Sequence, residues 1–413
     1  MTSRERVGKA INFQEPDRVP IDLGGMKASG ITAGAYNRLI KHLGLKNKTK
    51  VYDTKLMLAV VDEEVKKRFN IDVIPIDMES ASWWATKKIE DWVPKRLFDG
   101  SEVLFPPGTK IKEEQTGDWT LLNPDGSPTS YRMPKAGFYF DDISFDKISG
   151  KIDPKEFKPT TTIPDEKLKI LAQYGKHLYG DTDYAMLGWG SGICFVGLSL
   201  ITERFNIVTM GRPTEWMMML LTEKDTCHEM MDRSIEASIS CIKLMNEAVG
   251  GYCFAWGIAA DDTGTQRGEF MRPDLWVEMM KPHYKKLCDW IHKNTKMKTF
   301  FHCCGSIYNL IPHLIDAGID ILNPVQTSAA NMEPARLKKE FGDRIVFWGG
   351  GCDTQKILNA GTPEEVRQHV KERLKIFSPG GGFAFNQVHN IQANVPAENI
   401  IAMLDAAYEY GGC

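Results

Sequence analysis

No apolar run in these 413 residues approaches the roughly 18 needed to cross a membrane. Trp216-Met217-Met218-Met219-Leu220-Leu221 is too short for that and reads as core helix. Charge of one sign is scarce as well. The net charge is -3 with 25% charged residues, so nothing draws the whole chain toward nucleic acid or anionic lipid. There is no cysteine framework. Nine cysteines, odd in number and scattered, fit free thiols in a reducing compartment better than a disulfide scaffold. Met1 to Arg6 has no apolar signal region behind it, so a cytoplasmic location is expected. No Gly-x-Gly-x-x-Gly follows the first apolar strand candidate, which removes the phosphate turn of a dinucleotide fold. Gly349-Gly350-Gly351 lacks the Lys-Ser/Thr ending of a P-loop.

What the chain does have is a regular alternation of short apolar runs and helical stripes. Arg4 to Phe13 reads as an N-terminal helical extension, and Val19 to Leu23 as a first strand closed by Gly24-Gly25. Helical patterns follow at 33–45 and at 54–69, the latter carrying Leu56, Val60, Val61, Val65 and Phe69. Asp72 to Asp77 is the second strand candidate. From 82 to 160 the character changes. Trp119–Leu122 and Pro128–Tyr131 flank the turn residues Asn123-Pro124-Asp125-Gly126-Ser127, a hairpin signal, so the region is expected to be a β-rich insertion within one barrel domain spanning 1–413. Six more strands are expected at 184–189, 252–256, 298–302, 320–323, 345–349 and 382–386. Helices are expected between and after them at 222–247, 273–294, 306–317, 333–341, 363–377 and 397–410. Eight strands in βαβα alternation predict an α/β fold of the (β/α)8 TIM-barrel type.

Function in such a barrel belongs where strands run into the following loops, and the chemistry-bearing residues collect there. His302 and Cys304 alternate with Cys303 along one strand, so the first two face one way and Cys303 the other. An imidazole and a thiolate on one face suit zinc. Two later strand ends offer further donors, Cys352 and His389. Cys352 can equally be a small turn residue, and His389 a core histidine bonded to a carbonyl. Asp22, Asp77 and Asp262 are the candidate catalytic carboxylates. Trp256, Gln266, Asn323, Gln326 and Asn386 are the candidate substrate-binding residues.

At these residues the chain resembles the uroporphyrinogen decarboxylase superfamily, which also holds the zinc-dependent corrinoid methyltransferases. The resemblance rests on Glu15-Pro16-Asp17-Arg18-Val19-Pro20, Asp262-Thr263-Gly264-Thr265-Gln266, Phe301-His302-Cys303-Cys304-Gly305-Ser306 and Pro396-Ala397-Glu398-Asn399-Ile400. The arginine-bearing Met-Arg-Gln-Ala-Gly-Arg segment of the true decarboxylases is missing. Asp22-Leu23-Gly24-Gly25-Met26-Lys27 stands near the N-terminus instead, a poor receptor for many carboxylates. The methyltransferase branch carries His-x-Cys and a late Cys on zinc; His302 and Cys304 match the pair, and the late position falls on His389. The resemblance thus implies zinc on His302, Cys304 and His389, with Cys352 as the alternative or additional ligand. It implies methyl transfer between a small O- or N-methyl compound and a separate corrinoid protein. The corrinoid sits on that partner, since Asp-x-His-x-x-Gly does not occur here. A homodimer is the family default. Aromatic residues of the insertion, among them Trp83, Trp84, Trp92, Trp119 and Tyr131, are expected to wall the barrel mouth. The rival reading is a metal-free decarboxylase with Asp22 or Asp77 as its charge-stabilising group.

Overall fold

Eight strands form one all-parallel sheet, seven of them in the order Val73–Ile76, Ala185–Cys194, Cys253–Ala260, Lys298–His302, Ile321–Asn323, Val346–Trp348 and Phe383–Ala384, with Asn206–Ile207 pairing beside the end of Ala185–Cys194. They belong to a computed structural model that describes every residue except 87–88, 144–151, 196–205, 208–212 and 413. For 83, 86, 191–192, 206–207 and 213 it describes the backbone alone. The sheet curls until its two ends face each other across residues 19–23. There Ile21 bridges Phe385 in parallel, the Phe385 N–H donates to the Pro20 carbonyl at 2.8 Å, and the Asp72 N–H donates to the Ile21 carbonyl at 2.8 Å. The result is an α/β fold built on a curled parallel sheet. Helices such as Lys224–Val249, Lys281–Asn294, Pro363–Phe377 and Ala397–Tyr410 connect or follow the strands.

Period-two alternation decides which side chains enter the curl. Val73, Leu187, Phe300, Ile321, Val346, Trp348 and Ala384 form one inner cluster, while Phe301, Cys303, Leu322, Phe347 and Phe385 join the outer core under the helices. The helix Ser3–Ala10 starts with Thr2 and Glu5 in a reciprocal capping box and sends Val7 into the inner cluster, joined by Ile11 just past its end. It lies across the N-terminal ends of the strands, because Arg4 N–H bonds the Asp183 carbonyl and Arg6 pairs with Asp72. Asp72, with no exposed surface, collects Ser3 Oγ at 2.8 Å, Arg6 Nη1 at 2.7 Å, Arg18 Nη1 at 2.7 Å and the Ile21 N–H at 2.9 Å. One carboxylate therefore ties the first helix, the 19–23 segment and the Val73–Ile76 strand together.

Two expectations are corrected. The stripe at 54–69 is helical only at Glu63–Arg68. Before it, Asp53 Oδ1 takes the N–H groups of Lys55 and Leu56, closing a turn, and Leu58–Ala59 pairs antiparallel with Thr49–Asp53. The apolar residues there are buried by strand and turn, which periodicity over so short a run does not distinguish. The stretch 273–294 is two helices, Pro273–Met279 and Lys281–Asn294, parted where Pro282 cannot donate a backbone bond.

Outside the parallel sheet, strands between residues 49 and 142 other than Val73–Ile76 build two small sheets. Glu102–Phe105 pairs with Thr49–Asp53 and Val93–Arg96, and Trp119–Leu122 pairs antiparallel with Pro128–Met133 around the Asn123–Ser127 turn. No helix among the described residues is long and apolar enough to cross a membrane.

Candidate metal centre

The Lys298–His302 strand ends in the outward bend Cys303-Cys304-Gly305, and alternation sends His302 and Cys304 inward. Gly305 has φ +90 and lies so close to Gly264 that an added Cβ would sit 2.3 Å from its carbonyl carbon, so no side chain fits this bend. The bend is pinned on both sides. The Cys304 N–H donates to Asp262 Oδ1 at 2.7 Å, and the Gly305 N–H to Gln326 Oε1 at 2.8 Å. Cys303 faces the other way, buried in the outer core with its sulfur 3.2 Å from Thr263 Oγ1.

His302, Cys304 and His389 bring one nitrogen, one sulfur and one nitrogen within 4.8 Å of one another. The His302 Nε2 to Cys304 Sγ separation is 3.4 Å. A tetrahedral zinc with bonds of about 2.0–2.3 Å needs ligand atoms about 3.4–3.6 Å apart, so this pair fits. His302 Nδ1 lies 2.6 Å from Asn323 Oδ1, and the Asn323 amide in turn donates to the Trp348 carbonyl at 2.8 Å. The amide orientation is thereby fixed: Oδ1 accepts from His302 Nδ1–H, and the Nε2 lone pair is left toward Cys304. His389 has φ +65, a backbone conformation that side-chain-bearing residues seldom adopt, and its Nδ1 lies 3.1 Å from Asn390 Oδ1. Burial, then the neighbouring His302, lowers the His389 pKa to about 4, which keeps the ring neutral and its lone pair available. Burial and then the Asp262 carboxylate hold the Cys304 thiol well above its usual pKa. A cation is what turns such a thiol into a thiolate, with release of its proton.

The other predicted residues fall into separate places. Cys352 is fully buried, bridges Gln387 through its backbone and belongs to the outer core, so it stands apart from the His302–Cys304–His389 group. Asp262 sits at that group, its Oδ1 3.8 Å from His302 Nε2. Asp22 faces the inner cluster and accepts from the Trp348 indole N–H at 2.8 Å and the Gly25 N–H at 2.7 Å. Burial outweighs those bonds and pushes its carboxyl up to about 6. Asp77 accepts from the Tyr52 hydroxyl and from the Ser80 N–H at 2.8 Å. Asn323 and Gln326 serve the metal group and its bend. Asn386 is fully buried, and among the described residues neither atom of its amide has a partner. Gln266 is exposed on the loop after Cys253–Ala260. Trp256 is mid-strand on the outer face, with its indole N–H on the Gly190 carbonyl at 2.9 Å, and does not reach the centre of the curl. Asn390 and Tyr52 had no expected role. Adjacency to His389 was the available signal for the first, and nothing in the periodicity marks the second. Of the expected aromatic wall, the Trp83 side chain lies outside the described residues.

A family model described as uroporphyrinogen decarboxylase (URO-D) matches residues 206–410. A uroporphyrinogen decarboxylase from Psychromonas ingrahamii is 34% identical over 96 residues, 23% of this chain and 25% of that protein. One from Anaeromyxobacter dehalogenans is 23% identical over 199 residues, 47% of this chain and 51% of that protein. The chain thus aligns with between a quarter and about half of the length of these curated relatives. Among solved structures, a methyltransferase from Methanosarcina mazei matches with a TM-score of 0.54 over 99% of both chains. At 16% identity that likeness is one of fold.

Proposed function

We propose that this chain, which carries a uroporphyrinogen decarboxylase family domain over residues 206–410, is a zinc-dependent methyltransferase. In this reading a methyl group passes between a small O- or N-methyl compound and a corrinoid held by a separate protein. The observation that carries it is the convergence of His302, Cys304 and His389 from two distant strand ends, with a pair separation that suits tetrahedral zinc. The full architecture we read is the eight-stranded barrel, with residues 19–23 as its first strand and 82–160 inserted in the same domain. Its open end would receive the corrinoid partner, and a homodimer is compatible with it.

Zinc would supply Lewis acidity toward the heteroatom that bears the methyl group. Two neutral imidazoles and one thiolate leave the ion a net positive charge, whereas a second thiolate would cancel it. That donor set favours an ether oxygen or an amine as the substrate atom. The rest is positioning by this chain. Asn323 holds His302 in the Nδ1–H form, Asp262 and Gln326 hold the Cys304–Gly305 bend, and the unpartnered Asn386 amide offers a donor and an acceptor inside the curl.

Metal content of purified variants tests the proposal. The parent chain and Cys303→Ser are expected to carry close to one zinc per chain, and Cys304→Ser to lose most of it. Equal zinc in the two serine variants would remove the site. A parent protein without zinc, active on a carboxylate in the presence of chelator, would move the assignment to the decarboxylase reading, with Asp22 or Asp77 in charge of stabilisation.

A further inference from the structure

A cavity of about 380 Å³ lies beside the Val73–Ile76 strand, between the small sheet that contains Thr49–Asp53 and the helices Met78–Thr86 and Asp165–Asp181. That volume falls in the range of about 300–1,000 Å³ usual for small-molecule pockets. Its wall is aromatic where the helices meet. Trp84 stands 5.7 Å from Tyr174 and 5.4 Å from His177 between ring centroids, and Trp92 and Tyr52 complete that side. No aspartate or glutamate is among the described residues that line it, whereas Lys50, Lys66 and His177 do.

The three basic side chains are not equivalent. Lys66 pairs with Glu63 at 3.2 Å, and the His177 ring lies 2.5 Å from the Asp181 carboxylate. Lys50 is half-buried, and among the described residues no carboxylate comes within 4 Å of its ammonium group, which lies 5.8 Å from the Trp92 ring centroid. Asp62 feels Lys50 at longer range, but its carboxylate is engaged by the Tyr36 hydroxyl at 2.8 Å. An aromatic chamber whose lining includes no acid, and whose Lys50 has no carboxylate at ion-pair distance among the described residues, is complementary to a flat ring that carries a negative charge.

We propose that this cavity binds a planar aromatic carboxylate, its ring against Trp84, Trp92 and Tyr174 and its carboxylate at Lys50. The site is separate from the metal group and does not rest on the zinc reading. It is nonetheless tied to that group through backbone. Gly30 on the cavity wall accepts the Ile391 N–H at 2.9 Å, two residues beyond His389. Tyr52 and Ser80, also on the wall, both donate to Asp77. A bound ring would therefore brace both the loop that carries His389 and the candidate carboxylate Asp77.

The test titrates the purified full chain, stripped of metal and again with zinc added, with benzoate, cyclohexanecarboxylate and benzylamine. Tryptophan fluorescence and calorimetry are the readouts. Saturable benzoate binding is expected in both states, with cyclohexanecarboxylate and benzylamine each weaker by about ten-fold or more. Lys50→Gln, at a half-exposed position, is expected to weaken benzoate by about ten-fold and to leave the far-ultraviolet circular dichroism spectrum unchanged. Absence of saturable benzoate binding to the parent chain overturns the proposal. So does benzylamine binding as tightly as benzoate, a result that needs no variant to fold. Loss of zinc content with benzoate binding intact would sink the metal reading and leave this one standing.

Discussion

Replacing Asn323 by leucine should weaken zinc binding by about 10- to 100-fold, because the change acts on the ion only through His302. The leucine removes the oxygen that lies 2.6 Å from His302 Nδ1 in a fully buried position. Leucine offers no acceptor there, so the imidazole loses the partner that fixes both its tautomer and its tilt. The variant also deprives the Trp348 carbonyl of its 2.8 Å donor. That second loss is present with and without metal, so it lowers stability but cancels out of metal affinity. A metal-bound imidazole is a stronger N–H donor than a free one, so the bond to Asn323 gains strength on binding. The expected loss corresponds to about 1.4–2.7 kcal/mol. Asn323→Asp supplies an acceptor again and shares the loss at Trp348, so it isolates the contact to His302. Competition with a chromophoric chelator measures all three affinities at one pH. Leucine is expected to be weakest, and aspartate equal to the parent or tighter. A leucine variant within two-fold of the parent would refute the orientation argument and leave Asn323 as part of the sheet's packing alone.

Two other outcomes follow from the same structure. His389→Ala should abolish stoichiometric zinc while Cys352→Ala keeps it, as measured by metal content after dialysis. A Cys352 variant that loses the metal would reverse the ligand assignment. At the opposite end of the sheet, Asp72→Ala removes the buried carboxylate that Arg6 and Arg18 share and should cost about 3–5 kcal/mol in urea denaturation. Asp17→Asn, which removes only the half-exposed partner of Arg6, should cost less than about 1 kcal/mol. Similar losses in the two variants would show that Asp72 is not the tie described.

Much of this was legible because strand alternation is a local rule. Phe300, His302 and Cys304 face inward and Phe301 and Cys303 outward, as the spacing requires whatever the rest of the chain does. Residues 19–23 read as a strand from a short apolar run closed by Gly24-Gly25, and the structure has there an isolated bridge from Ile21 to Phe385 in place of a strand. Errors came where a local pattern has two solutions. Trp256 looked like a strand end, but its strand runs on to Ala260, which leaves the indole mid-strand under the helices. The 54–69 stripe is apolar enough for a helix, and the Asp53 turn that interrupts it is a side-chain hydrogen bond with no periodic signature. Cys352 and His389 both follow strands. Only the backbone bends after those strands, including the positive φ of His389, decide which one turns toward His302. Tyr52 meets Asp77 through tertiary packing alone.

The seam at residues 18–22 also sets an order of assembly. Its partners are Asp72 on one side and, on the other, Phe385 together with Gly411 and Gly412 near the far end of the sequence. Contacts between segments so distant along the chain carry the largest loop-closure cost, so they form after local helices and neighbouring strand pairs. Residues 385 and 411–412 must therefore have left the ribosome before the gap in the sheet can be filled. Until then the inner face of the curl, with Leu187, Phe300 and Trp348, stays open to solvent along one side. Asp72, with Arg6 and Arg18 already docked on it, can hold the early segment in place beside its strand during that wait.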